Sequence, residues 1–453
     1  MSFPRYEAYR KSGVDWLGEV PRHWQITKLK RLASFCGGGT PDRENVAYWN
    51  GDIPWVSPKD MKAELVSGAE ELITEEGLAN SATSLIPANT VLMVVRSGIL
   101  KHTIPVAINV TPVALNQDMK ALSFRTSEFL PRFFFRWVQG LNDSLLLAWA
   151  KQGATVESIE QAYLADSLIV VPPIGEQHVI NTFLDRETAK IDALVEEQQR
   201  LIELLKEKRQ AVISHAVTKG LDPNAPMKDS GVEWIGDVPA HWTLQSLNSI
   251  SALIQTGPFG SQLHSDDYVE DGVPVINPSH IGDGRLYADT GCSVSEATSI
   301  RLSDYRIKPG DIIVGRRGEM GRCAVASAEN SRWICGTGSL IVRLAPSAYS
   351  PFVALVIRTS RVRETLRLAS VGSTMDNLNE KLLSSTRLAV PQIQEQIEIV
   401  RFLDSVTGTI DKLVLETESA IALLQERRSA LISAAVTGKI DVRGLAPQTA
   451  EAA

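Results

Sequence analysis

Apolar residues recur at alternating steps of three and four along two long stretches of the chain, a spacing typical of helices that share a coiled-coil seam. The first seam comprises Leu184, Glu187, Ile191, Leu194, Gln198, Leu201, Leu205, Lys208 and Val212, and the second comprises Ile399, Leu403, Val406, Ile410, Leu413, Thr417, Ala420, Leu424, Arg427 and Leu431. We predict a helix over residues 177–218, roughly 60 Å long at 1.5 Å per residue, and a second helix at the matching place. Each needs the other beside it.

Both seams turn polar at the same two places. Gln198 in the first seam matches Thr417 in the second, and Lys208 matches Arg427. A polar residue in a seam costs stability but can fix the register and the choice of partner. We therefore interpret these four residues as partner-binding positions on the long helices.

A strand-like run that ends in proline precedes each predicted helix, at residues 167–173 and 387–391. Proline ends a strand because it cannot donate a hydrogen bond to its neighbour. The two stretches upstream, about residues 25–165 and 243–385, are called here the first and second front. Both mix β-rich runs and short helical stretches with Gly/Pro-rich loops; the strands are expected at 90–95, 311–314 and 339–342, and the helices at 130–137 and 351–368. Each front is predicted to be a small α/β domain.

The chain is a tandem duplication. GVDWLGEVPRHW at residues 13–24 recurs as GVEWIGDVPAHW at 231–242, and FLD at 183–185 recurs at 402–404. The two pairs of motifs are distant from each other, yet their offsets differ by a single position, so both agree on one period. The offset that relates 183 to 402 is called here the repeat offset. The repeat predicts six segments: a first domain at 1–175, a first long helix at 176–219, a linker at 220–230, a second domain at 231–394, a second long helix at 395–438 and a flexible tail at 439–453.

Composition narrows the class of protein. Hydrophobic residues make up 44% of the 453, charged residues 22%, and the net charge is −7. No apolar run approaches the roughly 18 residues that span a bilayer, and the N-terminus lacks a signal sequence, so we expect a cytoplasmic protein. Its four scattered cysteines predict reduced, buried thiols, and we expect neither a metal site nor a cofactor. The acidic charge argues against a DNA-binding protein that acts alone.

Two fronts of different sequence, each followed by a similar long helix, give the chain pseudo-two-fold symmetry. If the helices are antiparallel, they hold the two front domains apart. Dimeric DNA-binding proteins use such symmetry to set the spacing of their half-sites. One interpretation is therefore an asymmetric DNA target with an unread gap. The alternative is a helical scaffold, without DNA binding, that presents two protein-interaction modules. The geometry leaves both open.

Residues 11–24 and 228–242 resemble the opening of the target-recognition domains in the specificity subunits of Type I restriction-modification systems. PPIGEQ at 172–177 and PQIQEQ at 391–396 resemble the start of that family's spacer helices. The resemblance covers nearly the whole chain. It implies an α+β fold with two small α/β target-recognition domains separated by a pair of long antiparallel coiled-coil helices. It also implies double-stranded DNA, two methyltransferase (modification) subunits and restriction (translocase-nuclease) subunits as partners.

Loop residues of the fronts are the candidates for DNA contact, because Arg, Lys and Gln make the common contacts with phosphates and base edges. The first front offers a glycine-rich loop, where either a phosphate approaches the backbone or the chain makes a tight turn, and a loop with two cations after a strand. Its candidates are Gly38, Thr40, Arg96, Lys101, Gln152 and Thr155. Those of the second front are Gln262, Arg316, Arg317, Arg322, Ser373 and Asn377.

The sequence carries no signature of an enzyme that acts alone. It has no GxxxxGK[ST] phosphate loop and no Asn/Asp-Pro-Pro-aromatic signature of amino-methyltransferases. We therefore predict a non-catalytic subunit of a DNA methyltransferase/endonuclease complex. The repeated tryptophans, Trp16 with Trp24 and Trp234 with Trp242, are predicted to be core anchors, and His23 and His241 to be structural.

Overall fold

The computed structural model describes residues 3–151, 153, 155–233, 235–370 and 378–445. The chain divides into unit 1, which is Met1–Gln199 with Glu418–Ala453, and unit 2, which is Arg200–Thr417. Each unit therefore holds one front together with part of both long helices.

The first front and its flanking segments in unit 1 are built from short strands and helices. The strands are β1 (Tyr9–Lys11), β2 (Glu19–Pro21), β3 (Gln25–Lys28), β4 (Ala33–Gly37), β5 (Trp49–Val56), β6 (Leu65–Val66), β7 (Leu72–Ile73), β8 (Val91–Val94), β9 (Val106–Asn109), β10 (Ala114–Leu115), β11 (Met119–Phe124) and β12 (Leu168–Val171). The helices are α1 (Glu75–Ala79), α2 (Pro131–Gly140), α3 (Asn142–Trp149), α4 (Gln161–Asp166) and the long α5 (Ile174–Lys219), which continues into unit 2.

A five-stranded sheet in the order β4-β11-β8-β9-β6 lies at the centre of the first front. Strand β8 is buried on both faces, and its alternate residues enter two different cores. Val91 and Met93 pack with the aromatic residues of α2, whereas Leu92 and Val94 pack with Val56 and its neighbours. This explains why β8 reads as an unbroken apolar run, as strands covered on both faces do.

Unit 2 repeats this plan. Its strands are β13 (Met227–Asp229), β14 (Asp237–Pro239), β15 (Thr243–Ser246), β16 (Ser251–Thr256), β17 (Tyr268–Val269), β18 (Val273–Ile276), β19 (Ile281–Gly282), β20 (Arg285–Leu286), β21 (Ser293–Val294), β22 (Ile312–Gly315), β23 (Cys323–Val325), β24 (Ile334–Cys335), β25 (Ser339–Leu344) and β26 (Arg387–Val390). Its helices are α6 (Glu296–Arg301), α7 (Ser350–Ile357), α8 (Ser360–Ser370), α9 (Glu380–Ser385) and the long α10 (Ile393–Val436), which continues into unit 1.

The central sheets of the two fronts correspond strand by strand, although the fronts share little sequence. The order β16-β25-β22-β23 in unit 2 matches β4-β11-β8-β9 in unit 1. In both units the strand before the long helix pairs antiparallel with a strand just after the repeated motif, β12 with β3 and β26 with β15. The strands predicted at 90–95, 311–314 and 339–342 are confirmed, and the helical stretch at 351–368 is divided into α7 and α8.

Both long helices begin two to three residues earlier than predicted, directly after a proline-containing segment. Helix α5 contains 46 residues, or about 70 Å of helix. Gly220 and Gly438 follow the two helix ends with φ angles of 77° and 72°. This left-handed conformation favours glycine, which explains why the helices end there.

Five of the nineteen predicted seam positions are wrong by one residue. Alternate positions such as Ile191 and Gln198 are buried or half-buried, as predicted. At the other positions Leu194, Leu201 and Lys208 are exposed, as are Leu413 and Arg427. The residues that follow these positions turn inward instead; in α5 they are Val195, Ile202 and Arg209, and in α10 they are Val414 and Arg428. An arginine can occupy such a place because its stem packs while its guanidinium group reaches a carboxylate.

An ion pair between described residues joins the two long helices in each unit. In unit 1, Nε of Arg428 donates to Oδ1 of Asp192 at 2.8 Å. In unit 2, Nε of Arg209 donates to Oδ1 of Asp411 at 2.9 Å. From the first pair to the second, α5 advances from position 192 to position 209, and α10 goes back by the same amount, from 428 to 411. The two helices therefore pair in the same antiparallel register in both units.

In the described part of the chain, no helix is both long and apolar enough to cross a membrane. All four cysteines are free thiols. Cys323 and Cys335 are buried, as predicted, whereas Cys36 and Cys292 are half-buried and correct that prediction. Burial raises the pKa of the Cys323 thiol to about 12.

Candidate nucleic-acid interface

Three loops of the first front meet at one edge of its sheet. Strand β11 pairs Lys120 with Gly37 and Met119 with Val94, so the ends of β4 and β8 lie beside the start of β11. The loops at 38–40, 95–105 and 116–118 are called here the first loop edge. It brings together four of the predicted DNA-contact residues, Gly38, Thr40, Arg96 and Lys101.

Gly38 allows two of these loops to touch. A Cβ at residue 38 would collide with the backbone carbonyl oxygens of Asn116 and Leu115. The amide of Gly39 donates to Leu115 O at 2.9 Å, and the Thr40 hydroxyl contacts the side-chain amide oxygen of Gln117. The glycine-rich loop thus approaches the protein's own backbone, and its glycines are explained without a bound phosphate.

Arg96 and Lys101 are exposed, and each has a carboxylate nearby. Nε of Arg96 lies 3.9 Å from Asp118, and Nζ of Lys101 lies 3.4 Å from Glu157. The segment 155–158, which contains the exposed Thr155, lies beside this loop because the amide of Ser97 donates to Glu157 O at 3.0 Å. Exposed ion pairs of this kind contribute about 1 kcal/mol at most, so these cations can exchange partners.

The second front has a corresponding edge. Strand β25 pairs Leu340 with Thr256 and Ser339 with Gly315, which places the end of β16, the end of β22 and the start of β25 together. The loops at 257–262, 316–322 and 336–338 are called here the second loop edge. A Cβ at Gly257 would collide with Gly336 O, as one at Gly38 would with its neighbour.

Arg316 holds the second loop edge together. Its Nε donates to Leu378 O at 3.1 Å and its NH1 to Thr337 O at 3.3 Å, while its amide donates to Gly338 O at 2.9 Å. Burial, and then the charge of Arg317, lowers the pKa of this half-buried guanidinium group. Its hydrogen bonds are thus used within the protein.

Arg317 differs from its neighbour. It is exposed, and among the described residues it makes no hydrogen bond or ion pair. Arg322 instead donates to Glu319 at 3.2 Å and to Pro278 O at 3.4 Å, and Glu319 also pairs with Arg363. Arg317 is therefore the cation of this loop that is available to an anion outside the protein.

Gln262 lies at the second loop edge with its backbone and side chain both engaged. Its carbonyl oxygen accepts from Arg301 at 2.6 Å, and its Oε1 accepts from the Tyr305 hydroxyl at 2.9 Å. These contacts orient the amide. Phe259 in the same loop is 63% exposed, a feature that the sequence analysis missed.

The repeated motifs form a joint between each front and a long helix. In the first joint, Glu176 accepts from the Trp24 indole at 3.0 Å, and its other oxygen lies 2.7 Å from His23 Nε2. In the second joint, Glu395 accepts from the Trp242 indole and lies beside His241 Nε2, both at 2.9 Å.

The burial of Trp24 and Trp242 confirms that both are core anchors. Trp16 is half-buried, and Trp234 lies outside the described residues.

The glutamine after each acid extends the joint. Gln177 accepts from the amide of Leu130 at 2.9 Å and donates to Pro172 O at 2.8 Å. Gln396 repeats this pattern, with Tyr349 N at 2.8 Å and Pro391 O at 2.9 Å. In both halves the Glu-Gln pair therefore fixes the first turn of the long helix to its front.

Comparison with known proteins agrees with this duplicated plan. A model of the family described as "Type I restriction modification DNA specificity domain" matches residues 21–204 and again residues 239–418. The chain belongs to this family. The two matches each contain one front, one joint and part of one long helix.

Curated relatives in this specificity family are similar over different lengths. The EcoR124I/EcoR124II specificity subunit of Escherichia coli is 38% identical over 202 residues, 44% of this chain and 49% of that protein. The chain thus matches about half the length of that relative. The EcoBI specificity subunit of the same species is 24% identical over 73% of this chain and 70% of its own length. The MjaVIII subunit of Methanocaldococcus jannaschii is 19% identical over 94% and 95%.

Solved specificity-family structures share the fold. A chain from a study of complex assembly and conformational transition in the type I R-M system has a TM-score of 0.66 and 17% identity, over 92% of this chain and 98% of that one. The HsdS subunit from Thermoanaerobacter tengcongensis has a TM-score of 0.54 and 16% identity, over 93% and 98%.

Three of the predicted DNA-contact residues lie outside the described residues, namely Gln152, Ser373 and Asn377. Of the four predicted partner positions, Lys208 and Arg427 are exposed on the long helices, whereas Gln198 is half-buried and Thr417 is buried. The Thr417 hydroxyl donates to Leu413 O at 2.7 Å, within its own helix.

Sequence reasoning missed residues whose role depends on a partner distant in sequence. Gln117 and Thr337 are polar residues in the loops that face the glycine-rich and arginine-rich loops. Arg209 and Arg428 were overlooked in favour of the basic residues before them. A signal for the latter existed, because the aspartates that they bind, Asp411 and Asp192, are themselves related by the repeat offset.

Proposed function

We propose that the chain is the DNA sequence-specificity subunit of a Type I restriction-modification complex, which recognises an asymmetric bipartite target. In this proposal each loop edge reads one half-site, and the long helices leave a gap between the half-sites. The chain docks two modification subunits and, in the full complex, restriction subunits. It catalyses no reaction itself, in keeping with relatives that are specificity subunits.

The observation that carries the proposal is the contrast between the loop edges and the joints. The joints repeat the same Trp, His and Glu contacts in both units. The two loop edges lie at the same end of corresponding sheets but present different residues, Arg96 and Lys101 in the first and Arg317 in the second. Repeated joints with different loops are what two unlike half-sites require.

The charge distribution supports shared binding. A net charge of −7 and the carboxylates beside Arg96 and Lys101 leave little attraction for the phosphate backbone, which supplies most non-specific affinity. The modification subunits would then contribute phosphate contacts, while the loop edges supply base contacts.

Exposed leucines support docking of two copies of one partner. Leu194 and Leu413 are 45% and 43% exposed, and Leu204 and Leu423 are 53% and 63% exposed. Each pair is related by the repeat offset, so both halves present the same apolar positions. The exposed Lys208 and Arg427 form a third such pair. We propose that these positions, with Gln198 and Thr417 in the seam, select the modification subunit.

Methylome sequencing tests the proposal. A strain that expresses the chain with its modification subunit should carry a two-part methylated sequence that is absent without the chain. Arg317→Ala should relax one half-site, and Arg96→Ala with Lys101→Ala should change the other. Lys308 and Arg125 provide matched controls, because they are exposed cations at the opposite ends of the two sheets, before β22 and after β11.

The alternative is a scaffold of two protein-interaction modules. Electrophoretic shifts of genomic duplexes, with and without the modification subunits, separate it from the proposal. Sequence-specific binding in the presence of the subunits supports the specificity role. Absence of DNA dependence under both conditions, together with an unchanged methylome, would favour the scaffold.

A further inference from the structure

Glu64 occupies an unusual place in the first front. It directly precedes β6, and its backbone oxygen accepts from the amide of Ile108 in β9 at 2.9 Å. Its carboxylate accepts from Arg136 at 2.9 Å, from Arg132 at 3.0 Å and from Arg428 at 3.1 Å. A residue of the front's sheet is thus bonded to α2 and to the long helix α10.

The two arginines of α2 connect the same carboxylate to α5. Arg136 is only 1% exposed, and its second terminal nitrogen donates to Asp185 Oδ1 at 2.7 Å. Arg132 donates to the same oxygen at 2.9 Å. Helix α2 therefore lies between two carboxylates, one from the front and one from a long helix.

Arg428 completes the network. It donates to Glu64 and, through Nε and NH2, to Asp192 of α5 at 2.8 and 3.2 Å. The network thus contains three guanidinium groups and three carboxylates, so its charges are balanced. This balance matters because burial of an unpaired charge, above all that of Arg136, is strongly unfavourable.

Unit 2 retains only part of this network. Asp411 stands at the position equivalent to Asp192 and Arg209 at the position equivalent to Arg428, each related by the repeat offset, and they form the same ion pair. In the described part of unit 2, however, Arg209 is bonded to Asp411 alone. The amides of Leu130 and Tyr349 make equivalent hydrogen bonds to Gln177 and Gln396, so these two positions correspond. Counted from them, Pro351 and Leu355 stand where unit 1 has Arg132 and Arg136.

We propose that Glu64 is a positioning residue that fixes the orientation of the first front on the long helices. This inference rests on the proposed function, because orientation affects which gap between half-sites the chain accepts. The bonds of Glu64 reach α10 directly and α5 through Arg136, so the front cannot turn on the helices without breaking charged hydrogen bonds. Among the described residues of unit 2, Arg209 makes no equivalent bond to the second front.

The pseudo-symmetry supplies a matched pair of variants. Arg428→Gln and Arg209→Gln each remove one Asp–Arg pair between the long helices, but only Arg428→Gln also removes a bond to a front. With the full chain and its modification subunits, methylation is measured on duplexes that carry the native gap or a gap one base pair longer or shorter. Arg428→Gln should reduce the preference for the native gap by about tenfold, as expected for coupled contacts. Arg209→Gln should stay within about twofold of the original chain.

Two further variants protect the test against a failure of folding. Glu64→Gln removes the acceptor from the front and should reproduce the loss of gap preference. Arg428→Lys keeps the charge and should restore part of the preference. If Arg428→Gln and Arg209→Gln reduce the gap preference equally, or if neither reduces it, the positioning role is refuted.

Hydrogen exchange of the chain without DNA separates this inference from the proposed function. In Arg428→Gln, the amides of 64–66 and 132–140 should exchange about tenfold faster, since local opening becomes easier, and in Arg209→Gln they should not change. If methylomes reveal no bipartite target but the exchange differs in this way, the proposed function fails while the positioning contact stands. Equal exchange in both variants contradicts the positioning role whatever the methylome shows.

Discussion

The indole of Trp24 donates to Oε2 of Glu176 across 3.0 Å and so links two segments 152 residues apart in sequence. Trp242 and Glu395 repeat the bond at 2.9 Å. Each acid lies in the first turn of its long helix, where the helix dipole favours a negative charge. The motif repeated at 13–24 and 231–242 thus joins each front to its helix, and its repetition in both halves reflects this structural task.

Removal of the glutamate that accepts from the tryptophan should lower the stability of the unit that contains it. Glu176→Ala leaves the indole of the buried Trp24 without an acceptor, and a buried unsatisfied donor costs about 1–3 kcal/mol. We expect a decrease of this size in the free energy of unfolding, measured by urea titration with tryptophan fluorescence. Glu395→Ala should behave alike. Glu197→Ala, an exposed acid on α5, is the control, and equal stability of Glu176→Ala and this control would rule out a stabilising joint.

Much of the fold was accessible from sequence because it is repeated. The duplication located both fronts and both helices, and apolar runs such as Ile312–Gly315 located strands that are buried on both faces. The seam was harder. Leu194 and Leu201 extend the apolar stripe onto the exposed side of α5, and periodicity cannot distinguish a leucine that packs inward from one that faces outward.

The loop edges could be predicted only in part. Sequence identified Arg316 and Arg317 as equivalent candidates, because they are adjacent and both basic. The structure separates them, since one guanidinium group faces the carbonyls of Leu378 and Thr337 and the other faces outward. Thr337 is 21 positions from Arg316 and Leu378 is 62 positions from it. Because every residue has a backbone carbonyl, the sequence does not indicate which carbonyls accept from Arg316.

Arg316 and Arg317 should therefore respond differently to substitution. Arg317→Ala removes an exposed side chain, so the free energy of unfolding should change by less than about 0.5 kcal/mol, while affinity for the methylated target sequence falls about tenfold. Arg316→Ala should destabilise unit 2 by about 1–3 kcal/mol because it leaves the partly buried carbonyl of Leu378 unpaired. Fluorescence anisotropy of duplex binding and urea unfolding measure the two effects. Identical behaviour of both variants would contradict this division of roles.

Removal of a carboxylate at the first loop edge should strengthen DNA binding. Asp118→Asn eliminates the charge 3.9 Å from Arg96 and leaves the backbone bonds of residue 118 unchanged. Because an exposed ion pair contributes about 1 kcal/mol at most, we expect an increase in affinity of up to about fivefold, largest at low salt. Asp143→Asn, an exposed acid on α3, is the control. Weaker or unchanged binding by Asp118→Asn would argue against phosphate or base contact by Arg96.

The ion network at Glu64 predicts a pH dependence of stability. Burial alone would raise the pKa of Glu64, but the opposing effects of Arg136, Gln139, Arg132 and Arg428 lower it below its ordinary value. A carboxyl group whose pKa is lower in the folded state stabilises the protein above its unfolded pKa, about 4.3. That contribution is lost as the pH falls through the folded pKa.

The difference in unfolding free energy between the original chain and Glu64→Gln should therefore be constant above about pH 5.5 and should shrink steadily below about pH 4.3. Urea unfolding from pH 3 to pH 7 measures it, and Glu197→Gln controls for the loss of one negative charge in unit 1. A difference that grows as the pH falls would mean that Glu64 is held in its neutral form. The three arginines around it would then form ion pairs with Asp185 and Asp192 alone.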